Sequence, residues 1–423
     1  MKKQCNDIID QQTEEILALG RKLFVTPELG FKEFKTKEIL VQFLKEEGFT
    51  IEKEYFETGF QVSIGSGHPH IGLIAELDAI PTLGHPYANL EDQSAAHACG
   101  HSTQCAIMVN ALLALKKAGA TRNGKVTCFF TPAEEFTDIQ YRRELIKVGK
   151  IDYLAGKINM LMAGVFDDVD VCIHLHAMGD DNYRYSVNSD LAGFIYKKYI
   201  FKGKASHAAV LPHMGINALN AFALFQSASA MLRETFVDED QNRVHGIVTE
   251  GGQTVNSIPE QVVYESYIRS FNANKLKELS NQYTNTAKHC ALALNAECVV
   301  EDIPGYLPFN QDRNLSSVIY ENLLEFAEPK QISDGEKSVA AGDIGDLGNF
   351  IPSAQFGYGG FRGLIHGKDM CVDDEERVYV ESAKVVAMTC IDLLEKPELV
   401  QKIMDEFAVE MSLEEYQNYI EIK

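Results

Sequence analysis

The run IGLIAELDAIP, residues 71–81, decides the fold. Residues 71–77 are short, continuous and apolar, as in a strand covered on both faces, and the run ends on Glu76, Asp78 and Pro81. Similar strand-like runs occupy 59–65, 125–131 and 169–175, and a long apolar helix is predicted at 104–118 between the second and third of the four strands. Helical spacing of apolar residues precedes the sheet at 7–24 and 35–47, with Pro27 separating the two and Gly48 ending the second. The reading is an α/β domain whose mixed sheet is covered by helices.

Near residue 190 the pattern changes. A strand (194–202), a helix (214–233), two strands (245–250 and 261–270), a helix (274–294) and a strand (297–302) follow in the β-α-β-β-α-β order of a ferredoxin-like unit. Helical patterns return at 313–326 and 378–394, and an acidic helical tail starts at Pro397. The expected organisation is a catalytic domain in two pieces, 1–189 and 305–423, interrupted by an inserted α+β domain at 190–304.

Composition bounds the function. A chain of 423 residues exceeds one core, and 45% hydrophobic with 24% charged residues is a globular balance. The 61 acidic against 39 basic residues, a formal charge of −22, would repel phosphate backbones and anionic headgroups, so nucleic-acid and membrane partners are disfavoured. No stretch resembles a signal peptide or a membrane span, and nine scattered cysteines suit free thiols in a reducing compartment. The expectation is a soluble, cytoplasmic protein.

One loop stands apart: His97-Ala98-Cys99-Gly100-His101 sets a thiol and two imidazoles within five residues. Thiolate and imidazole are the ligands of zinc and its neighbours, and Gly100 lets Cys99 and His101 face one ion. Ligands in open α/β sheets gather at strand carboxyl ends. There the sequence offers Glu76 and Asp78, Thr131-Pro132-Ala133-Glu134-Glu135, and His174-Leu175-His176, with His366 far downstream. Metal-assisted hydrolysis divides labour between a carboxylate held on the metal and one that handles protons, and the adjacent Glu134 and Glu135 suit that division.

These residues resemble the M20 metallopeptidases, in the amidohydrolase branch of aminoacylase-like, aminobenzoyl-glutamate-hydrolase-like and auxin-conjugate-hydrolase-like proteins. The resemblance runs through PELGFKE (27–33), ELDAIP, HACGH, TPAEE, DVCIHLH (170–176), GKASHAA (203–209) with GINALNA, GGQTVNSIPE (251–260), AAGDIGDLGNFIP (340–352) and LIHG (364–367), in the family's order over nearly the whole chain. It implies two divalent metals, zinc first and manganese as the alternative, held by Cys99, His101, Glu135, His176 and His366. Glu134 would be the general base and then acid, with Asp78 orienting a ligand near the site.

The family pattern selects His176, six residues after Asp170, while His174 shares its strand face and stays as a fallback. From the inserted domain, the resemblance implies that His207 reaches the neighbouring subunit's site in a homodimer and stabilises the oxyanion. Asn256 and Arg269 match positions that hold a substrate carboxylate, against plainer readings as a turn residue and a strand-face ion pair. His97 is expected to line the entrance or brace the loop.

Three departures stand out: Ser102 where the branch commonly has Asp or Asn, Gln104 in place of a later histidine, and Phe24 in place of one before PEL. The resulting expectation is a metal-dependent amidohydrolase that cleaves an amide bond next to a free carboxylate, in an N-acyl amino acid, a dipeptide or an aminobenzoyl-glutamate-like compound. The alternatives are an exopeptidase acting on peptides and a catalytically silent ligand-binding relative.

Overall fold

A computed structural model describes residues 1–179 and 182–421, which form two compact units. The first comprises Met1–Asp190, Asn310–Glu336 and Asp346–Glu410. Its eight-stranded sheet runs in the order Lys53–Tyr55, Gly59–Gly65, Lys125–Thr131, His70–Glu76, Val171–Ala177, Ser353–Tyr358, Tyr185–Val187 and Ile332–Asp334. Lys125–Thr131, His70–Glu76, Val171–Ala177 and Ser353–Tyr358 are mutually parallel where they pair, so their carboxyl ends share one edge. Every residue of His70–Glu76 is buried, as the apolar run 71–75 within it requires.

The helix His101–Ala118 is buried almost all round, against the sheet and the helices Lys2–Gln11, Thr13–Phe24 and Ser382–Glu395. The single helix expected over 7–24 is in fact two, broken at Gln12, whose side-chain amide is drawn to the Asn110 side chain at 2.6 Å. The strand expected at 169–175 starts later, at Val171, because Asp170 turns aside to accept the His70 backbone N–H at 2.7 Å. The strand Ser353–Tyr358 and the helices Ile139–Lys147 and Gly156–Met162 had no clear periodic signal.

The second unit comprises Leu191–Phe309, Lys337–Gly345 and the segment from Met411 onward. The chain therefore does not return to the first unit in one crossing after Gly305. A four-stranded antiparallel sheet, ordered Arg243–Glu250, Gln261–Ser270, Gly193–Lys202, Glu297–Pro304, carries the helices Ala218–Leu232 and Ala273–Ala293. This is the ferredoxin-like arrangement. Its core holds Tyr199, Phe201, Phe225, Tyr264 and Tyr283. Asn217 and Asn272 cap the two helices by accepting backbone N–H groups, which moves the first helix start past the expected residue 214.

Candidate metal centre

The shared carboxyl edge of the first unit collects the ionisable residues. Glu76 ends one strand and leads to Asp78, Thr131 ends the next and leads to Glu134 and Glu135, and Val171–Ala177 carries His174 and His176. Gly100, at φ 87°, turns the chain into the helix His101–Ala118 and so places Cys99 and His101 at its start. His366 arrives on a distant loop pinned by its own N–H to Ala98 O at 2.7 Å.

Two of these positions hold left-handed backbone without being glycine: Ala133, at φ 54°, and His366, at φ 63°. Such a conformation costs about 1–3 kcal/mol, and the surroundings must over-determine it. Buried Glu33 accepts the Ala133 N–H at 2.8 Å and the Thr58 hydroxyl at 2.6 Å. Burial and the charge of Asp78 push the Glu33 carboxyl up to about 8. Buried Arg142 then donates to the carbonyls of Leu154 and Glu135. The segment carrying both glutamates is thereby clamped on each side.

Asp78, fully buried, joins two of the proposed ligands. Its Oδ2 accepts the Glu135 N–H at 2.9 Å, while its carbonyl lies 2.9 Å and its Oδ1 3.2 Å from His101 Nδ1. With Nδ1–H engaged there, the neutral His101 ring would present a lone pair at Nε2, and this buried atom meets no hydrogen-bond partner among the described residues. Glu135 Oε1 is likewise buried without one.

Around these atoms the donors converge. Cys99 Sγ lies 3.4 Å from His176 Nε2 and 3.4 Å from His366 Nε2, and His366 Nε2 lies 3.2 Å from Glu135 Oε1. Ligands at zinc distances with tetrahedral angles stand about 3.6 Å apart for S and N, and about 3.4 Å for N and O. Cys99, His101 and His176 form one group whose donor atoms lie within 4.8 Å of one another, and Cys99, Glu135 and His366 form another. The residues fit two ions, with Cys99 a member of both donor groups. Of the two strand histidines, His176 brings Nε2 to Cys99, while His174 turns to Gln355 Oε1 at 2.9 Å and Glu76 Oε1 at 3.3 Å.

Electrostatics match most of these placements; at His101 burial opposes the charged ring, yet the charges of Cys99 and Glu76 raise it well above the usual range, so a metal at this ring would displace a proton. Burial pushes His176 down to about 4, leaving a neutral imidazole able to ligate. Burial and the charge of Glu135 hold the Cys99 thiol well above its usual range, so a metal there would displace a proton. Burial opposes ionisation of Glu135, yet His366 holds it below the usual carboxylate range. Glu134 moves the other way: burial, then the charges of Glu76 and Glu135, raise it well above that range. Two adjacent carboxyls pushed apart in this way suit separate jobs as ligand and proton carrier.

Some polar groups at this edge went unread in the sequence. In the sequence Glu76 reads only as a strand-end residue and Lys157 carries no signal, yet both are buried, with Lys157 Nζ 2.6 Å from Glu76 Oε1. His97 is buried rather than at an entrance, and burial together with nearby His101 pushes it down to about 3. The departure residue Gln104 donates to Glu76 Oε2 at 2.8 Å, and Ser102 Oγ is buried with no hydrogen-bond partner among the described residues.

His207, Asn256 and Arg269 belong to the second unit. His207 and Asn256 are brought together: His207 pairs with Ser257 in a bridge, and Asn256 O accepts the Ala208 N–H at 2.9 Å. His207 Nδ1 accepts the Val210 N–H at 3.1 Å, which leaves the ring proton on Nε2 as a donor. Arg269 stands elsewhere, stacked near Phe194 and Tyr267 and donating to Val339 O at 2.8 Å. The ladder from Gln261 to Arg269 is roughly 27 Å long.

The family profile of Peptidase family M20/M25/M40 matches residues 72–392. The human Xaa-Arg dipeptidase is 28% identical over 455 aligned positions, covering 100% of this chain and 95% of that protein. An N-acetyl-L-cysteine deacetylase of Bacillus subtilis is 26% identical, covering 79% of this chain and 80% of its own length. Among solved structures, a dinuclear metal-binding peptidase of the M20 family from Bacillus subtilis superposes with a TM-score of 0.71 at 21% identity, over 91% of this chain and 99% of that one.

Proposed function

Because the chain belongs to peptidase family M20/M25/M40, and is thus a metal-dependent hydrolase of C–N bonds, we propose that it cleaves an amide bond beside a free carboxylate with two metal ions. The observation that carries this reading is Cys99 Sγ at 3.4 Å from both His176 Nε2 and His366 Nε2, flanked by His101 and Glu135. Zinc is the preferred ion, since thiolate and imidazole make up most of the donor set, with manganese the alternative. Two such ions, when bound, would acidify the attacking water and polarise the scissile carbonyl.

The chain's own residues do the rest. Glu134, in its ionised form, takes the proton of the attacking water, and the raised proton affinity that burial and the charges of Glu76 and Glu135 give it suits it to hold that proton and return it to the departing nitrogen. Asp78 keeps His101 and the Glu135 backbone in place. His207, with its proton on Nε2, donates to the developing oxyanion from the partner of a homodimer. Asn256 and Arg269 are assigned to the substrate carboxylate, Arg269 through donors other than the Nη1 used on Val339.

A homodimer is supported by the second unit's surface. The edge strand Arg243–Glu250 exposes Ile247 at 65% and Val248 at 45%, and the helix Ala218–Leu232 exposes Met231 at 69%. An open apolar strand edge invites pairing with a second copy. Among the described residues no helix is long and apolar enough to cross a membrane. All nine cysteines are free, in keeping with a reducing, cytoplasmic setting.

Substrates of the N-acyl amino acid and dipeptide type follow from the relatives' names, which include both a deacetylase and a dipeptidase. The test is protein stripped of metal, reloaded with zinc or manganese, and screened on N-acetyl and N-benzoyl amino acids, dipeptides and aminobenzoyl-glutamate. Expected are about two ions per chain and hydrolysis that vanishes with chelation and returns with metal. Inert protein after reloading would favour the silent binding relative. For the trans role of His207, chains carrying His207→Ala and chains carrying Glu134→Gln, each inactive alone, should recover roughly a quarter of wild-type activity when mixed at equal amounts, one working site in half of the dimers. Subunit exchange without recovery would remove His207 from that role.

A further inference from the structure

Beneath the proposed centre lies a second buried polar cluster that the two-metal reading does not use. Glu76, His174, Gln104 and Lys157 are all buried, the other three gathered around the Glu76 carboxylate. The oxygens of Glu76 are divided: Oε1 takes the Lys157 ammonium at 2.6 Å, while Oε2 takes the Gln104 amide at 2.8 Å and faces His101 Nε2 at 3.1 Å. That last approach is not a hydrogen bond, for His101 Nε2 has no partner although the carboxylate is so near. Two buried acceptor atoms at this separation and off the hydrogen-bond direction are arranged as neighbours around one cation.

We propose that Glu76 is an additional protein ligand of the ion held by Cys99, His101 and His176, aimed there by Lys157 and Gln104. This rests on the two-metal reading above. Glu76, His101 and Glu134 form a third group with donor atoms within 4.8 Å of one another, and His101 is common to it and to the Cys99–His101–His176 group. From His101 Nε2, Glu76 Oε2 is nearer than Glu134 Oε2, at 3.1 against 3.8 Å. Glu76 thus supplies a carboxylate to this ion as Glu135 does to the other, and Glu134 keeps its proton-carrying role. An ionised carboxylate has about four lone-pair positions, so the bonds to Lys157 and Gln104 leave room for a metal.

The test measures metal binding apart from catalysis. Zinc titrated by calorimetry into metal-free wild-type protein should show two tight ions. Glu76→Gln should keep one, at Cys99, Glu135 and His366, and bind the other about 100-fold more weakly or not at all. With cobalt(II), the thiolate charge-transfer band should persist while the d–d bands change. The retained tight ion serves as the control for folding. Two ions of unchanged affinity with an unchanged cobalt spectrum would overturn the proposal. Should Glu76→Gln lose its cooperative melt, Gln104→Leu, which leaves the Lys157–Glu76 pair intact, is to weaken the second ion about 10-fold, and no weakening overturns it equally. Wild-type protein that binds no ion at all would instead sink the two-metal reading itself.

Discussion

Replacing Cys99 by alanine is expected to disturb both ions at once. The sulfur belongs to both donor groups, one with His101 and His176 and the other with Glu135 and His366. Loss of a residue that merely orients a ligand already costs about 10–100-fold in affinity, so loss of a shared direct ligand should exceed about 100-fold. Cys99 is buried at the start of the helix His101–Ala118, whose core contacts do not depend on its sulfur, so the fold should survive. The measurement is metal content after gel filtration, alongside the circular dichroism melt. A folded Cys99→Ala protein that still carries two ions would remove the bridging role; loss of one ion only would make Cys99 a ligand of a single metal.

Glu134→Gln is expected to separate chemistry from metal binding. The amide keeps the shape of the side chain but cannot accept and return a proton. Proton transfer by a placed side chain contributes about 10²–10⁴-fold, so kcat should fall about 10³-fold, or about 4 kcal/mol of barrier. Metal content should stay at the wild-type level, because Glu135 is the carboxylate in the Cys99 and His366 group. If kcat holds within about tenfold, Glu134 is not the proton carrier. If the ions are lost with it, Glu134 is a ligand and the roles of the pair must be reversed.

How legible the site was in the sequence differs residue by residue. Cys99 and His101 announced themselves by spacing, and Glu134 and Glu135 by adjacency at a strand end. His176 and His366 were reached only through the family resemblance, since nothing local distinguishes His176 from His174 on the same strand face. The structure separates these two by what each ring meets, Cys99 in one case and Gln355 with Glu76 in the other. Lys157 left no signal at all, because a lysine in an amphipathic segment reads as a solvated side chain and only the closed fold buries it.

The strand pattern of 71–77 and its partners determined the α/β layer, and the β-α-β-β-α-β order determined the inserted unit, because hydrophobic periodicity is a local property that each segment carries by itself. The chain composition determined an acidic globular protein, and the ordered motifs determined the family. Only the tertiary structure decided which carboxylates stay ionised. Glu76 is held well below the usual range by Lys157, His174 and His101 against its burial, while Glu134 is raised by burial and by Glu76 and Glu135. Those shifts draw on charges far away in sequence, Lys157 and His174 for Glu76 and Glu76 for Glu134, and an electrostatic field depends on distances in space that no linear spacing encodes.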